Sequence, residues 1–401
     1  MTTLTVPPPI FPDAAAMERI TVAAHAVARQ QLERRMKSPV GPRLATARLA
    51  EGLRELNALL TTRKADRPGD YLADPRLQLA YLAHHLPIHA AKVAALVQEN
   101  LPQPIPRPFT ILDLGAGPLS ASIGALLALG PPARVHAVDL ASGMMRLGAD
   151  VLRQLWPDVE VQLQTASVTT APAVARTVRP DLVLLANVVG ELGEGARAIS
   201  QRAALLTALL KAVPEHAHVL VLEPGTRIHA QGLSRVREAL LREPGIHVWA
   251  PCVGTPACPL LGGTDWCHAD RPVLWPEAYL ALAHAAGLQP ERLKFSYLWL
   301  AARPPPTPSP GLLRVIGGSM RPGDGRLLRY ACGPSGRVTL AAEEETASAR
   351  ALAQPSRGGT LVPAGDIRVV RDAGPPPGPR RGPGPRRGGR GKPFHRRRGR
   401  S

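Results

Sequence analysis

Between about Ala14 and Asn100 apolar residues recur at three- and four-residue steps, as in Leu49, Leu53, Leu56 and Leu60. Tyr81-Leu-Ala-His-His-Leu-Pro then leads into an Ala/Val-rich run. Such spacing places the apolar side chains on one stripe of a helix and predicts a helical N-terminal domain over residues 1–104. Pro102, Pro104, Pro106 and Pro108 form a spacer that no helix continues through, because proline lacks the amide donor and its ring clashes with the preceding turn.

The pattern changes at Phe109-Thr-Ile-Leu-Asp-Leu-Gly-Ala-Gly, where a short apolar run ends in glycines. Similar runs recur at Val135–Leu140, Asp181–Val189 and His218–Glu223 with helical stretches between them, and Arg292–Ala301 reads as a further strand. Strands alternating with helices predict a mainly parallel sheet in a doubly wound α/β domain spanning 105–300. Arg303–Pro310 reads as a linker. Leu312–Ile316, Arg326–Tyr330 and Arg337–Ala341 read as strands of a small β module over 311–342. From 343 to 401 the periodicity is lost, and the Arg/Gly/Pro composition of the end predicts a disordered tail.

Charge sharpens that division. Residues 375–401 carry ten Lys or Arg and no acid, leaving +8 of the net +18 (39 basic against 31 acidic residues) for residues 1–374. A flexible Arg-rich segment attracts phosphates with little sequence preference, so the tail is expected to bind RNA. The longest apolar runs fall short of the roughly 20 residues that cross a bilayer. The first eighteen residues have no Lys or Arg, unlike a secretory or transit signal. No membrane partner, a monomeric state and a cytoplasmic, reducing location are expected; disulfides are disfavoured there.

Asp113-Leu-Gly115-Ala-Gly117-Pro-Leu-Ser follows a predicted strand and opens a helix, the context in which glycines let a ligand approach the backbone. Ser120 stands where a third dinucleotide-binding glycine would be, and no Gly-Lys-Ser/Thr follows, which excludes a P-loop. Asp139, at the end of the next strand, is placed to accept hydrogen bonds from a ribose diol. This pair of signals resembles the S-adenosylmethionine site of Rossmann-like methyltransferases, and implies cofactor contacts at Asp113, Gly115, Gly117 and Asp139. The bland alternative is a strand-to-helix turn followed by a surface aspartate. Acceptor-positioning groups lie at the end of the fourth strand in that family, where Asn187 and Glu191 are the candidates for catalysis. Glu191 reads equally as a helix-start residue.

Cys252, Cys258, Cys267 and Cys332 are all the cysteines of the chain, and three fall within the Cys-rich segment 250–270. Four thiolates suit structural zinc or an iron–sulfur cluster. Spacing alone leaves zinc and cluster open, and His268 beside Cys267 is a further possible ligand. Scattered thiols or two disulfides explain the grouping less well.

Taken together, Asp113-Leu-Gly-Ala-Gly-Pro, Leu222-Glu-Pro-Gly-Thr226, Cys258-Pro-Leu, Trp266-Cys-His and the late Cys332 resemble the methyltransferase-like small-ribosomal-subunit family that includes a mitochondrial ribosome assembly factor. The match runs from the helical segment at Ala80 through about Leu340. The chain departs from relatives at Val253-Gly254 and Ala269-Asp270. The resemblance implies a Rossmann-like class I methyltransferase domain binding S-adenosylmethionine, and a [4Fe-4S] cluster on Cys252, Cys258, Cys267 and Cys332, with zinc the alternative. It also implies small-subunit rRNA as the partner. Three activities remain open: an rRNA methyltransferase, a non-catalytic assembly factor that keeps the fold, or a small-molecule methyltransferase with zinc.

Overall fold

The computed structural model describes residues 11–371 apart from 64, 65, 67, 70, 106, 194, 255, 256, 262 and 291. Pro106 of the spacer and the basic tail from 372 onward therefore lie outside the described residues. Four helices lead the chain: α1 (Ala14–Met36), α2 (Pro42–Leu60), α3 (Pro75–Ala80) and α4 (Leu86–Asn100). Asp13 caps α1 by accepting from the Ala16 amide at 2.8 Å, and Asp74 caps α3 through the Arg76 amide.

Between α3 and α4 the helix does not stop but widens into one π turn, Tyr81–His85. Pro87 is the cause. Its nitrogen offers no proton to the Ala83 carbonyl four residues earlier, and its ring pushes that carbonyl away. His25 Nε2 from α1 lies 3.1 Å from the Ala83 oxygen and satisfies it. Burial lowers the His25 pKa, so the ring stays neutral while it donates.

The main sheet is built from β1 (Phe109–Leu114), β2 (Ala133–Asp139), β3 (Glu160–Thr165), β4 (Leu182–Ala186), β5 (His218–Pro224), β6 (His247–Ala250), β7 (Ala269–Arg271) and β8 (Leu293–Ala301). Its order is β3-β2-β1-β4-β5-β8-β6, with β7 pairing β8. The first five strands are parallel, whereas β8 runs antiparallel between β5 and β6. The intervening helices are α5 (Ser120–Leu129), α6 (Ser142–Leu155), α7 (Ala171–Val178), α8 (Ala198–Leu210), α9 (Arg227–Leu240) and α10 (Glu277–Ala285). Strand β4 shows the doubly wound logic residue by residue. Leu182 and Leu184 enter one apolar cluster with α1, α4, α5 and α6, while Val183 and Leu185 enter a second with α7, α8 and α9.

A second, antiparallel sheet is ordered β12-β9-β10-β11-β13, from β9 (Leu313–Met320), β10 (Arg326–Gly333), β11 (Gly336–Glu343), β12 (Thr360–Leu361) and β13 (Arg368–Arg371). Helix α11 (Ala347–Ala353) covers it with Ala349 and Leu352. Structure thus continues past residue 343, where the loss of apolar periodicity predicted disorder. Apolar packing and strand pairing hold it, and Arg329, 3 % exposed, adds polar ties by donating to the Leu352, Ala353, Pro355 and Gly317 carbonyls. Along the main sheet the observed β4 is shorter than the predicted run, because Asn187 turns into the left-handed region at φ +59°.

Helices α4 and α5 cross at a point where only glycine fits. A Cβ on Gly124 would stand 2.3 Å from the Ala90 carbonyl oxygen and 2.9 Å from Val93 Cβ. Gly124→Val is expected to lower the unfolding free energy by about 1–3 kcal/mol, through overpacking that the facing backbone cannot relieve. Urea denaturation followed by far-UV circular dichroism measures it; an unchanged midpoint would refute the close crossing.

Candidate functional site

The site forms where the parallel strands end. After β1 the chain turns through Gly115 at φ +68° and Gly117 at φ +49°. A Cβ at Gly115 would meet Val188 Cγ2 at 2.6 Å, so this position needs glycine for space as well as conformation. The Gly115 and Ala116 amides both point to the Val138 carbonyl of β2, at 2.8 and 3.1 Å. The loop is therefore strapped to the neighbouring strand rather than left free.

Asp139 completes that strap. One carboxylate oxygen accepts from the Gly117 amide at 2.8 Å and the other from the Ala141 amide at 2.7 Å. Each oxygen keeps a second lone pair, so the group still has acceptor capacity toward a hydroxyl in the cleft. Asp113 does something different from direct contact. It is 1 % exposed, and its Oδ2 accepts from both the amide and the hydroxyl of Ser122, at 3.0 and 2.7 Å. Burial pushes its pKa up to about 6 against the opposing Ser122 bonds. Asp113 braces the junction of loop and α5 from beneath.

At the end of β4 the Asn187 amide donates to the Leu222 carbonyl at 2.7 Å, and its side-chain Nδ2 lies 3.4 Å from His89 Nε2 on α4. Glu191 sits exposed on the short turn Val189–Glu191. Tyr81 lies close enough to Asp139 and Glu191 for both charges to raise its pKa, although burial is the larger cause. The structure thus brings Asp139, Asn187 and Glu191 to one rim and joins to them a wall from the N-terminal helices. That wall holds Tyr81, His85 and His89, with ring centroids 4.9 Å apart for Tyr81–His85 and 5.9 Å for His85–His89. Sequence reading took this segment as helix only; the signal available was a run of ring-bearing residues at four-residue steps.

A second residue missed as a site group is Glu223, at the end of β5 and 3 % exposed. Its Oε1 accepts from the Gly190 amide at 2.7 Å, and a Cβ on Gly190 would stand 2.5 Å from Oε2. This carboxyl fixes the turn after β4 and so sets where Asn187 and Glu191 stand.

The four cysteines converge on one cavity. Cys252, Cys258, Cys267 and Cys332 line it together with Arg237, Arg314 and apolar side chains such as Val253, Leu260 and Ile316. Cys332 comes from β10, in register with Arg314 of β9. Arg237, 3 % exposed, donates from Nε to Cys252 Sγ at 3.1 Å and pairs with Glu238, which also accepts from the Cys258 amide at 3.0 Å. Arg314, 5 % exposed, donates to the Tyr297 hydroxyl at 3.3 Å, while its buried Nε has no hydrogen-bond partner. Burial, with the neighbouring thiols adding, pushes the Cys252 thiol up to about 12. Among the described residues no three His, Cys, Asp or Glu side chains stand close enough together to hold a metal ion. His268 stacks on Trp266, 5.6 Å between centroids, beside the cysteines.

The family described as mitochondrial small ribosomal subunit Rsm22 matches residues 76–344. No curated protein matches the chain. Among solved structures it is similar to PH0851 (16 % identity, 53 % of this chain and 45 % of that one, TM-score 0.36). It is also similar to TrmN from Thermus thermophilus (15 %, 55 % and 53 %, 0.33) and to NSun6 from Pyrococcus horikoshii with SFG (16 %, 52 % and 50 %, 0.35). The chain spans about half the length of each of these three.

Glu223 gives a test by pH. Burial raises its pKa from 4.5 to about 7, so the folded state holds this proton more tightly than the unfolded state. Its contribution to stability is therefore lost as pH rises from about 4.5 to 7 and is flat above. Glu223→Gln keeps the acceptor for Gly190 without the charge. It is expected to stabilise the protein at pH 8 by on the order of 2 kcal/mol, and to have no such effect near pH 4.5. Denaturant titrations at both values check it; equal effects at both would show that the charge is not the cause.

Proposed function

The chain belongs to the mitochondrial small ribosomal subunit Rsm22 family, and we propose that it is an S-adenosylmethionine-dependent methyltransferase-like protein acting on small-subunit rRNA. The observation that carries this reading is the Asp139 carboxylate tying down the glycine loop through the Gly117 amide while keeping lone pairs for a ribose. The cofactor, when bound, supplies an electrophilic methyl group. Gly115 and Gly117 leave the space above the loop clear for it, and Asp113 keeps the loop from shifting. Asn187 and Glu191 face the acceptor side, positioned by Glu223 through Gly190. An extruded base or a ribose hydroxyl is the acceptor class such a rim suits. The second reading, an assembly factor without transfer, is favoured by the placement of Glu191, which is exposed instead of enclosed around a proton to be moved.

With the cysteine cavity we propose a [4Fe-4S] cluster on Cys252, Cys258, Cys267 and Cys332. Support comes from the donor set and from charge. Arg314, a buried guanidinium with an unsatisfied Nε, lines the cavity beside the Glu238-paired Arg237, and thiolates on a cluster would give it an anion. The cluster would join β10 to the Cys-rich segment and need not touch the acceptor.

The compartment follows the ribosome that the protein serves, which for this family's description is mitochondrial in place of the expected cytoplasm. No helix among the described residues is long and apolar enough to cross a membrane. The basic tail adds phosphate affinity in this proposal.

Two experiments decide these points. Purified protein incubated with labelled S-adenosylmethionine and immature small subunits is expected to transfer label to rRNA, and Asp139→Ala to reduce cofactor affinity at least tenfold. Cofactor binding without any transfer would establish the assembly-factor reading. Protein purified without oxygen is expected to be brown and to contain iron and sulfide in equal amounts, lost in Cys332→Ser; colourless protein with one zinc per chain would remove the cluster.

A further inference from the structure

Helix α3, the π turn and α4 run without interruption, and along them Tyr81, His85, His89 and Lys92 follow at steps of four, four and three residues. They form one stripe. Its Tyr81 end lies near Asp139 and Glu191, and His89 touches Asn187 at 3.4 Å. The stripe therefore borders the strand ends where a methyl acceptor would lie. At about 1.5 Å per residue, Lys92 stands about 16 Å along the helix from Tyr81, a reach of two or three nucleotides.

Lys92 is the anomaly of this wall. It is half-buried, and among the described residues no carboxylate pairs with it and no acceptor binds its Nζ. His85 and His89 beside it are imidazoles held well below their usual range, chiefly by burial, and so stay neutral. The buried Nε2 of His85 also has no hydrogen-bond partner. The Lys92 Nζ is not among the buried atoms left without a partner, so the ammonium still reaches solvent and is open to an anion.

We propose that Lys92 and His85 form a phosphate subsite that takes one backbone phosphodiester of the acceptor RNA, next to the nucleotide presented at Asn187. The subsite rests on the RNA-directed reading above and gives it a register. Lys92 supplies the charge, His85 a neutral N–H, and Tyr81 and His89 the flat surfaces between this phosphate and the cofactor rim.

The test uses the full chain and a short single-stranded RNA of mixed sequence, with dissociation constants measured over a range of salt. Lys92→Gln is expected to weaken RNA binding severalfold and to lower the slope of log affinity against log salt by about 0.7, one phosphate's share on a single strand. S-adenosylmethionine affinity should not change. The thermal midpoint should hold, because no partner of Lys92 among the described residues is lost; a purely structural lysine would lower it. Lys92→Met, which keeps the packing of the stem, should behave like the Gln variant, and Lys92→Arg should restore the slope. Unchanged RNA affinity and slope in both neutral variants would overturn the subsite while leaving RNA binding intact. A loss confined to S-adenosylmethionine would overturn it by assigning the lysine to the cofactor's carboxylate. Absence of RNA binding by the wild type would reject the RNA-directed reading and the subsite together.

Discussion

Two-sided burial of β1, β4 and β5 is the constraint from which the rest of the molecule follows. Alternate residues of β4 feed separate apolar clusters on opposite faces of the sheet, so a central strand has no side left for polar chemistry. Charged and hydrogen-bonding side chains can only collect where these strands end. Asp113, Asp139, Asn187 and Glu223 all stand at such ends, and the turns between them are fixed by amides donating to carboxylates. The antiparallel β8, inserted between β5 and β6, extends this sheet, and its Trp299 donates to His218 Nδ1 at 2.9 Å inside the core.

Proline has a comparable effect on the helical wall. Pro87 forces the π turn, the freed Ala83 carbonyl recruits His25, and the widened turn carries Tyr81 and His85 toward the strand ends. A single residue that cannot donate thus shapes both the packing of α1 and one side of the cleft. The Ala83 carbonyl is thus satisfied by His25, whereas the buried Nε2 of His85 has no hydrogen-bond partner.

The strands were legible because fully buried parallel strands read as continuous apolar runs, and the glycine loop because positive φ and close approach leave few substitutes for glycine. Asp139 was legible by its distance from the loop. The direction of β8 was not, since an apolar run carries no sign of the neighbour it pairs with. Strand β3 escaped because Glu160–Thr165 alternates polar and apolar residues instead of forming a continuous apolar run, and β6 and β7 because they are four and three residues long. Glu223 stood in view within Leu222-Glu-Pro-Gly-Thr, but its grip on Gly190 joins residues 33 apart, a pairing that no local pattern encodes. Order from 343 to 371 rests on strand pairing with β9 and β11, on the burial of Leu352 and Leu361, and on Arg329 reaching carbonyls at 352–355, all contacts distant in sequence.

The cysteine cavity and the cofactor rim share a support. Helix α9, which carries Arg237 to Cys252, starts directly after the end of β5, where Glu223 holds the Gly190 turn. Trp266, next to Cys267, donates to the Gly225 carbonyl at 2.9 Å, and Arg357 from the turn between α11 and β12 donates to the Trp266 carbonyl at 2.6 Å. The end of β5 is therefore gripped from the cysteine side and the acceptor side within three residues. Changes at the two sites should not add independently, because each alters the same short piece of backbone that positions the other. A group bound by the thiols would then stiffen the strand end from which the Gly190 turn is held.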